Sequence, residues 1–119
     1  MPTNSKPDPD SDERPLAVGK IQLDPVKYEV TVEGEPVELT LVQFTILQAL
    51  ARRPGWVHTS DQIAEKLSRQ PGTAKAKCTP AALKNHMYLL RRRLGVAKAQ
   101  IHTVRGMGYT LKPDMPKHS

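Results

Sequence analysis

Two stretches near the C-terminus carry side chains that could do chemistry at regular spacing. Lys84, Asn85, Tyr88, Arg91 and Arg92 lie within 80–94, and Arg105 stands in Ile101-His102-Thr103-Val104-Arg105-Gly106-Met107-Gly108-Tyr109-Thr110-Leu111. These side chains bind; they do not break bonds. Lysine and arginine neutralise phosphates, an asparagine amide matches the edge of adenine, and a lysine reaches guanine or phosphate. Tyr88 can stack on a sugar or bond a phosphate. An arginine at the tip of a hairpin suits the minor groove of a duplex, while a helix suits the neighbouring major groove.

Both stretches need elements to hold them. Thr79 is a good N-cap, Pro80 sits where a helix tolerates proline, and Gly95 closes the far end. Leu83, Met87, Leu90 and Leu94 step by four, three and four residues, so they form a buried stripe. Lys84, Tyr88 and Arg91 then fall on one outward line, with Asn85 and Arg92 beside it. Arg91 and Arg92 are read as phosphate grips, and Arg93 as a cation solvating the helix end. The alternation in 101–111 predicts a hairpin, with Gly106 and Gly108 supplying permissive backbone angles at its turn.

Upstream, Thr59-Ser60-Asp61-Gln62 opens a second helix with Ile63, Ala64 and Leu67 facing inward. Thr40-x-x-Gln43 opens a first, with Phe44, Leu47, Leu50 and Ala51 as its stripe and Pro54-Gly55 as its end. Trp56 beyond it reads as a core or rim packing residue. Residues 16–40 alternate in strand fashion between turns at Asp24-Pro25 and Glu33-Gly34-Glu35-Pro36, predicting a small antiparallel sheet with one acidic face. Gln70 to Cys78 reads as a loop. The order of elements implies an α+β fold: a winged helix-turn-helix with an N-terminal antiparallel β-sheet, three helices and a C-terminal β-hairpin wing.

Charge divides the chain. The net charge of +6 comprises −2 over 1–15, −3 over 16–40 and +11 over 41–119. Between Glu65 and Asp114 there are eleven Lys and Arg and no acid, which points to a polyanionic partner. Residues 1–15, rich in Pro, Asp and Ser, read as a disordered tail or linker, 16–113 as one DNA-binding domain, and 114–119 as a disordered C-terminal tail. No apolar run approaches a membrane span and no signal peptide is visible. With the single Cys78, this suits a reducing compartment, so a cytoplasmic, nucleoid-associated location is expected.

The sequence resembles the OmpR/PhoB-type winged-helix domain, the DNA-binding effector half of many bacterial two-component response regulators. The matching stretches are Glu35-Pro36-Val37-Glu38-Leu39-Thr40, Phe44-Thr45-Ile46-Leu47 and Arg53-Pro54-Gly55-Trp56-Val57. They continue through Leu83-x-x-His86-Met87-x-x-Leu90-Arg91-x-x-Leu94-Gly95 to Thr103-Val104-Arg105-Gly106-Met107-Gly108-Tyr109, covering about 17–112. The resemblance implies that 80–94 is the recognition helix, 101–111 the wing, and Arg91 a DNA-contacting arginine. It places Thr103, Arg105 and Tyr109 on backbone and minor groove. It makes the loop around 69–78, with Lys75 and Lys77, a segment that contacts RNA polymerase or DNA backbone, and it implies tandem dimers on direct repeats. Ala81, Tyr88 and Leu89 depart from the polar groups common at those helix positions. No receiver domain is present in the 119 residues, which reads as either a stand-alone regulator or a cut effector domain.

Other chemistries find little support. His58, His102 and His118 are scattered, and with one cysteine no zinc spacing exists. His86 lies near the apolar stripe and reads as a packing or phosphate-facing residue. No triad or carboxylate pair stands in the basic half, and Gly-x-Gly without Gly-Lys-Ser/Thr does not make a nucleotide loop. No enzyme activity, cofactor, metal, small-molecule substrate or membrane is expected. Two rivals remain open: a winged-helix module docking on an acidic protein, and a nonspecific architectural DNA binder.

Overall fold

The structure, a computed structural model, describes residues 15–70, 72–73 and 79–113. Apart from Pro15, the two predicted tails lie outside these residues, as do Lys75, Lys77 and Cys78.

The alternation in 16–40 forms four antiparallel strands in sequence order: β1 (Leu16–Val18), β2 (Ile21–Asp24), β3 (Glu29–Val32) and β4 (Glu35–Val37). Ile21 opposes Val32 and Leu23 opposes Val30, so one face is apolar and buried while Gln22 and Glu29 face out; Glu35, opposite Val32, shares the apolar face but is exposed at the edge of the sheet. Tyr28 departs from the alternation. It adopts a left-handed φ of 55° in the turn before β3, is largely exposed, and sets its ring 5.1 Å from that of Phe44.

Helix α1 (Leu41–Arg52) starts at a complete capping box: the Thr40 hydroxyl accepts from the Gln43 N–H, and the Gln43 side chain accepts from the Thr40 N–H. Its sequence stripe understates its burial. Every residue from Gln43 to Ala51 is buried, because α1 lies between β1 on one side and the other helices and the C-terminal hairpin on the others. A second capping box, Thr59 with Gln62, opens α2 (Ser60–Arg69), which buries Ile63 and Leu67. Helix α3 (Pro80–Leu94) starts where the Thr79 hydroxyl accepts from the Ala82 N–H, and it buries Leu83, Met87, Leu90 and Leu94 as the spacing predicts.

Two features were not legible. The connector after α3 is a 3₁₀ segment, Gly95–Gln100, that buries Ala97 and Gln100. The C-terminal hairpin, β6 (Ile101–Val104) and β7 (Gly108–Leu111), has a third strand, β5 (His58–Thr59), paired along β7. Two residues are too few for a periodic signal, so β5 is seen only once β7 is there to receive it.

Candidate nucleic-acid interface

The wing is held in place at two points. At Gly108 an added Cβ would overlap the His58 carbonyl, so only glycine lets β5 approach β7 this closely. Gly106 is needed for a different reason: it turns the chain at a φ of 77°. The expectation that both glycines serve backbone angles is thus corrected for Gly108, whose requirement is steric. The turn closes with the Met107 N–H donating to the Val104 carbonyl at 2.8 Å, which leaves Arg105 and Met107 exposed at the tip.

The second point is Arg91. Its Nη2 donates to the Thr103 hydroxyl at 2.8 Å and to the Ile101 carbonyl at 3.2 Å. Arg91 is half-buried and ties the last turns of α3 to β6. The sequence placed it on the outward line as a phosphate grip. Its position three residues before Leu94 also points it at the strand that follows, which no pattern along the helix reveals.

Lys84, Asn85, Tyr88 and Arg92 lie on the exposed side of α3, opposite the buried leucines. The Arg92 guanidinium lies 5.8 Å from the centre of the Tyr88 ring, so these two side chains act as one amphipathic unit. Ala81 and Leu89 share the exposed side.

Between the start of α3 and the wing runs an open groove of about 560 Å³, lined by Ser60, Ala81, Lys84, Thr103, Arg105 and Tyr109 among others. The structure therefore brings Lys84, Thr103, Arg105, Gly106 and Tyr109 around one groove, while Asn85, Tyr88 and Arg92 lie outside its lining. Tyr109 is only 7% exposed, so most of its ring belongs to the core. Ser60, at the start of α2, and Met107 were not singled out from sequence. Only the fold brings Ser60 beside a wing more than forty residues away.

His102 sits in β6 with its Nε2 buried and without a hydrogen-bond partner among the described residues. Burial pushes its pKa below the usual histidine value, and the nearby Lys112 and Arg91 charges push the same way. His58 is lowered too, chiefly by burial; its contact with the Arg53 carbonyl opposes the shift, and Lys66 and Arg53 add to it. Trp56 is not a core residue: it is 60% exposed, with the Arg53 guanidinium 4.8 Å from its ring centre. Among the described residues no cluster of His, Cys, Asp or Glu could hold a metal ion, and no helix is long and apolar enough to cross a membrane.

A four-stranded sheet, three helices and a braced hairpin beside a basic helix face are the parts of a winged helix, and the sequence profile described as "Transcriptional regulatory protein, C terminal" matches residues 34–111. The chain belongs to this family. Family membership and fold agree with the OmpR/PhoB-type resemblance. Among curated relatives, the chain is 32% identical over 104 residues to the transcriptional regulatory protein TcrA of Mycobacterium tuberculosis, covering 87% of this chain and 40% of that protein. It is 40% identical over 96 residues to the transcriptional regulatory protein QseB of Escherichia coli O157:H7, covering 81% and 41%. The chain thus spans about two fifths of the length of these relatives. Among solved structures, the Klebsiella pneumoniae RstA DNA-binding domain, crystallised in complex with the RstA box, superposes with a TM-score of 0.70 at 27% identity, covering 85% of this chain and 99% of that one. The transcriptional-regulator C-terminal family is one of DNA-binding regulators, not an enzyme family.

Proposed function

We propose that this chain is a sequence-specific double-stranded DNA-binding transcriptional regulator, with residues 16–113 as its DNA-binding unit. Helix α3 lies in the major groove and the wing, 101–111, rests at the adjacent minor groove and backbone. The observation that carries this reading is the groove between α3 and the wing, with Lys84 on one wall and Thr103 and Arg105 on the other. A phosphodiester strand separates the major from the minor groove, and a cleft between a helix and a hairpin is the shape that straddles it.

In this reading Asn85 and Lys84 address base edges, while Tyr88 and Arg92 work together on sugar and phosphate. Arg105 enters the minor groove. Thr103, the Gly106 backbone and the exposed edge of Tyr109 hold the backbone, and Arg91 adds to this grip through the side of its guanidinium not turned to the wing. Lys75 and Lys77 are assigned to RNA polymerase or DNA backbone, on the family resemblance alone. Tandem dimers on direct repeats are assigned on the family resemblance, and Asp24 and Glu29 on the outer face of the N-terminal sheet offer a charge complement to the basic half of a second copy. The protein works in the cytoplasm, on the nucleoid, without cofactor, metal or chemical turnover.

Selection of bound sequences from a random duplex pool tests the reading. Enrichment of a defined motif, with direct-repeat spacing if copies pair, is the expected result. The exposed Ala81 and Leu89 favour a second reading, a nonspecific architectural binder, because neither offers a hydrogen bond to a base edge. Tight binding of the pool with no motif enriched would decide for that alternative.

A further inference from the structure

The tip of the wing carries an apolar side chain that the DNA-binding assignment has not used. Met107 is 59% exposed, although its backbone is fixed by the bond to the Val104 carbonyl and by the turn at Gly106. Several other large apolar side chains are also exposed: Val26, Tyr28, Trp56, Tyr88 and Val96. Of the exposed large apolar residues, Met107 alone lines the groove between α3 and the wing, two residues from Arg105.

We infer that Met107 is a DNA-contacting residue that seats against the deoxyribose wall of the minor groove beside Arg105. The inference rests on the DNA-binding reading and adds a residue of a different chemistry to it. The walls of the minor groove are sugar C–H surfaces, and proteins that enter this groove combine a cation with apolar side chains such as methionine. An unbranched thioether adapts to an irregular surface at little steric cost, which a β-branched side chain, stiff at χ1, would not. Arg105 supplies charge attraction that falls with salt. Met107 supplies apolar contact that releases no counterion, so its contribution is the same at every salt concentration.

That difference gives the test. Binding of a fluorescent duplex carrying the selected motif is measured over a series of KCl concentrations for the full chain and for Met107→Ala, Met107→Leu and Arg105→Ala. Met107→Ala is expected to weaken binding roughly five- to tenfold, the change expected for losing a few tens of Å² of apolar contact, with an unaltered slope of log affinity against log salt. Met107→Leu should retain most of the affinity, and Arg105→Ala should flatten the slope. In parallel, the Met107 methyl group is observed by NMR in the protein–duplex complex, where contacts to sugar protons are expected. Met107→Ala binding like the unsubstituted chain, a changed slope for that variant, or a methyl group with no sugar contact would each overturn the inference while leaving the DNA reading intact. No duplex binding by the unsubstituted chain would instead overturn the DNA reading itself, and the inference with it.

Discussion

Arg91 and Thr103 join helix α3 to the wing: a guanidinium N–H of α3 meets a hydroxyl of β6 at 2.8 Å, and the same nitrogen reaches the Ile101 carbonyl. The angle between helix and wing decides whether both can engage adjacent grooves at once. A planar, always-charged fork with several donors can fix that angle and still offer N–H groups to a phosphate. Arg91 is therefore read as a brace as well as a grip.

If Arg91 and Thr103 act as a unit, their substitutions will not add. Arg91→Ala and Thr103→Val should each weaken duplex binding, and the double variant should lose less than the sum of the two losses. Arg91→Lys, which keeps the charge and loses the fork, should recover little of the loss. A double-mutant cycle on duplex affinity measures the coupling, and strict additivity would mean that the contact does not orient the wing.

Arg105 stands at the exposed tip, and the proposed function has it act through charge. Arg105→Ala should weaken binding to most duplex sequences by a similar factor, and the salt slope should fall by about one. Titrations of a specific and a random duplex at several ionic strengths provide the check; an unchanged slope would remove Arg105 from the minor groove.

Asn85 should behave in the opposite way. Asn85→Ala is expected to alter the ranking of selected sequences, at a cost of about 1–3 kcal/mol for the best site and little for random DNA. Repeating the duplex selection with the variant reads this directly. Equal losses on specific and random DNA would make Asn85 a backbone contact.

How much of this was legible depends on whether the cause is local. The capping boxes at Thr40 and Thr59, the N-cap at Thr79 and the buried stripe of α3 are set by neighbours within a turn or two, and the sequence displays them. The wing hairpin is legible for the same reason. Strand β5 is not, because its pairing with Tyr109 and Gly108 joins segments fifty residues apart. The groove was half legible: Lys84 and Arg105 carry their charge in the sequence, but Ser60 and Met107 join them only through the fold. Arg91 shows that an outward position on a helix wheel does not say what stands beside the helix.

Gln100 is a further long-range case, and it predicts a stability effect away from the groove between α3 and the wing. Its side chain is fully buried; its Nε2 donates to the Val18 and Lys112 carbonyls at 2.9 Å each, and its Oε1 accepts from the Lys20 N–H at 3.0 Å. It thereby fastens the β1–β2 turn to the end of the wing sheet. Gln100→Leu keeps the approximate volume but strands three backbone groups, which should cost about 2–4 kcal/mol. Urea denaturation would show this as a lowered midpoint, and a change below about 0.5 kcal/mol would mean that water replaces the amide.

His58 and His102 give the fold a pH dependence. Burial is the leading cause that holds both below the usual value of 6.5 in the folded chain, whereas unfolding releases each to titrate near that value. Below about pH 6.5 the unfolded chain therefore binds more protons than the folded one, and stability falls as pH drops. Above that value both states hold the imidazoles neutral and these two groups contribute no slope. Melting temperatures between pH 7.5 and 5 should decline on the acid side, and His102→Gln, which removes one of the two titrations, should make the decline shallower. A decline equally steep in that variant would show that His102 takes up its proton as readily in the folded chain as in the unfolded one.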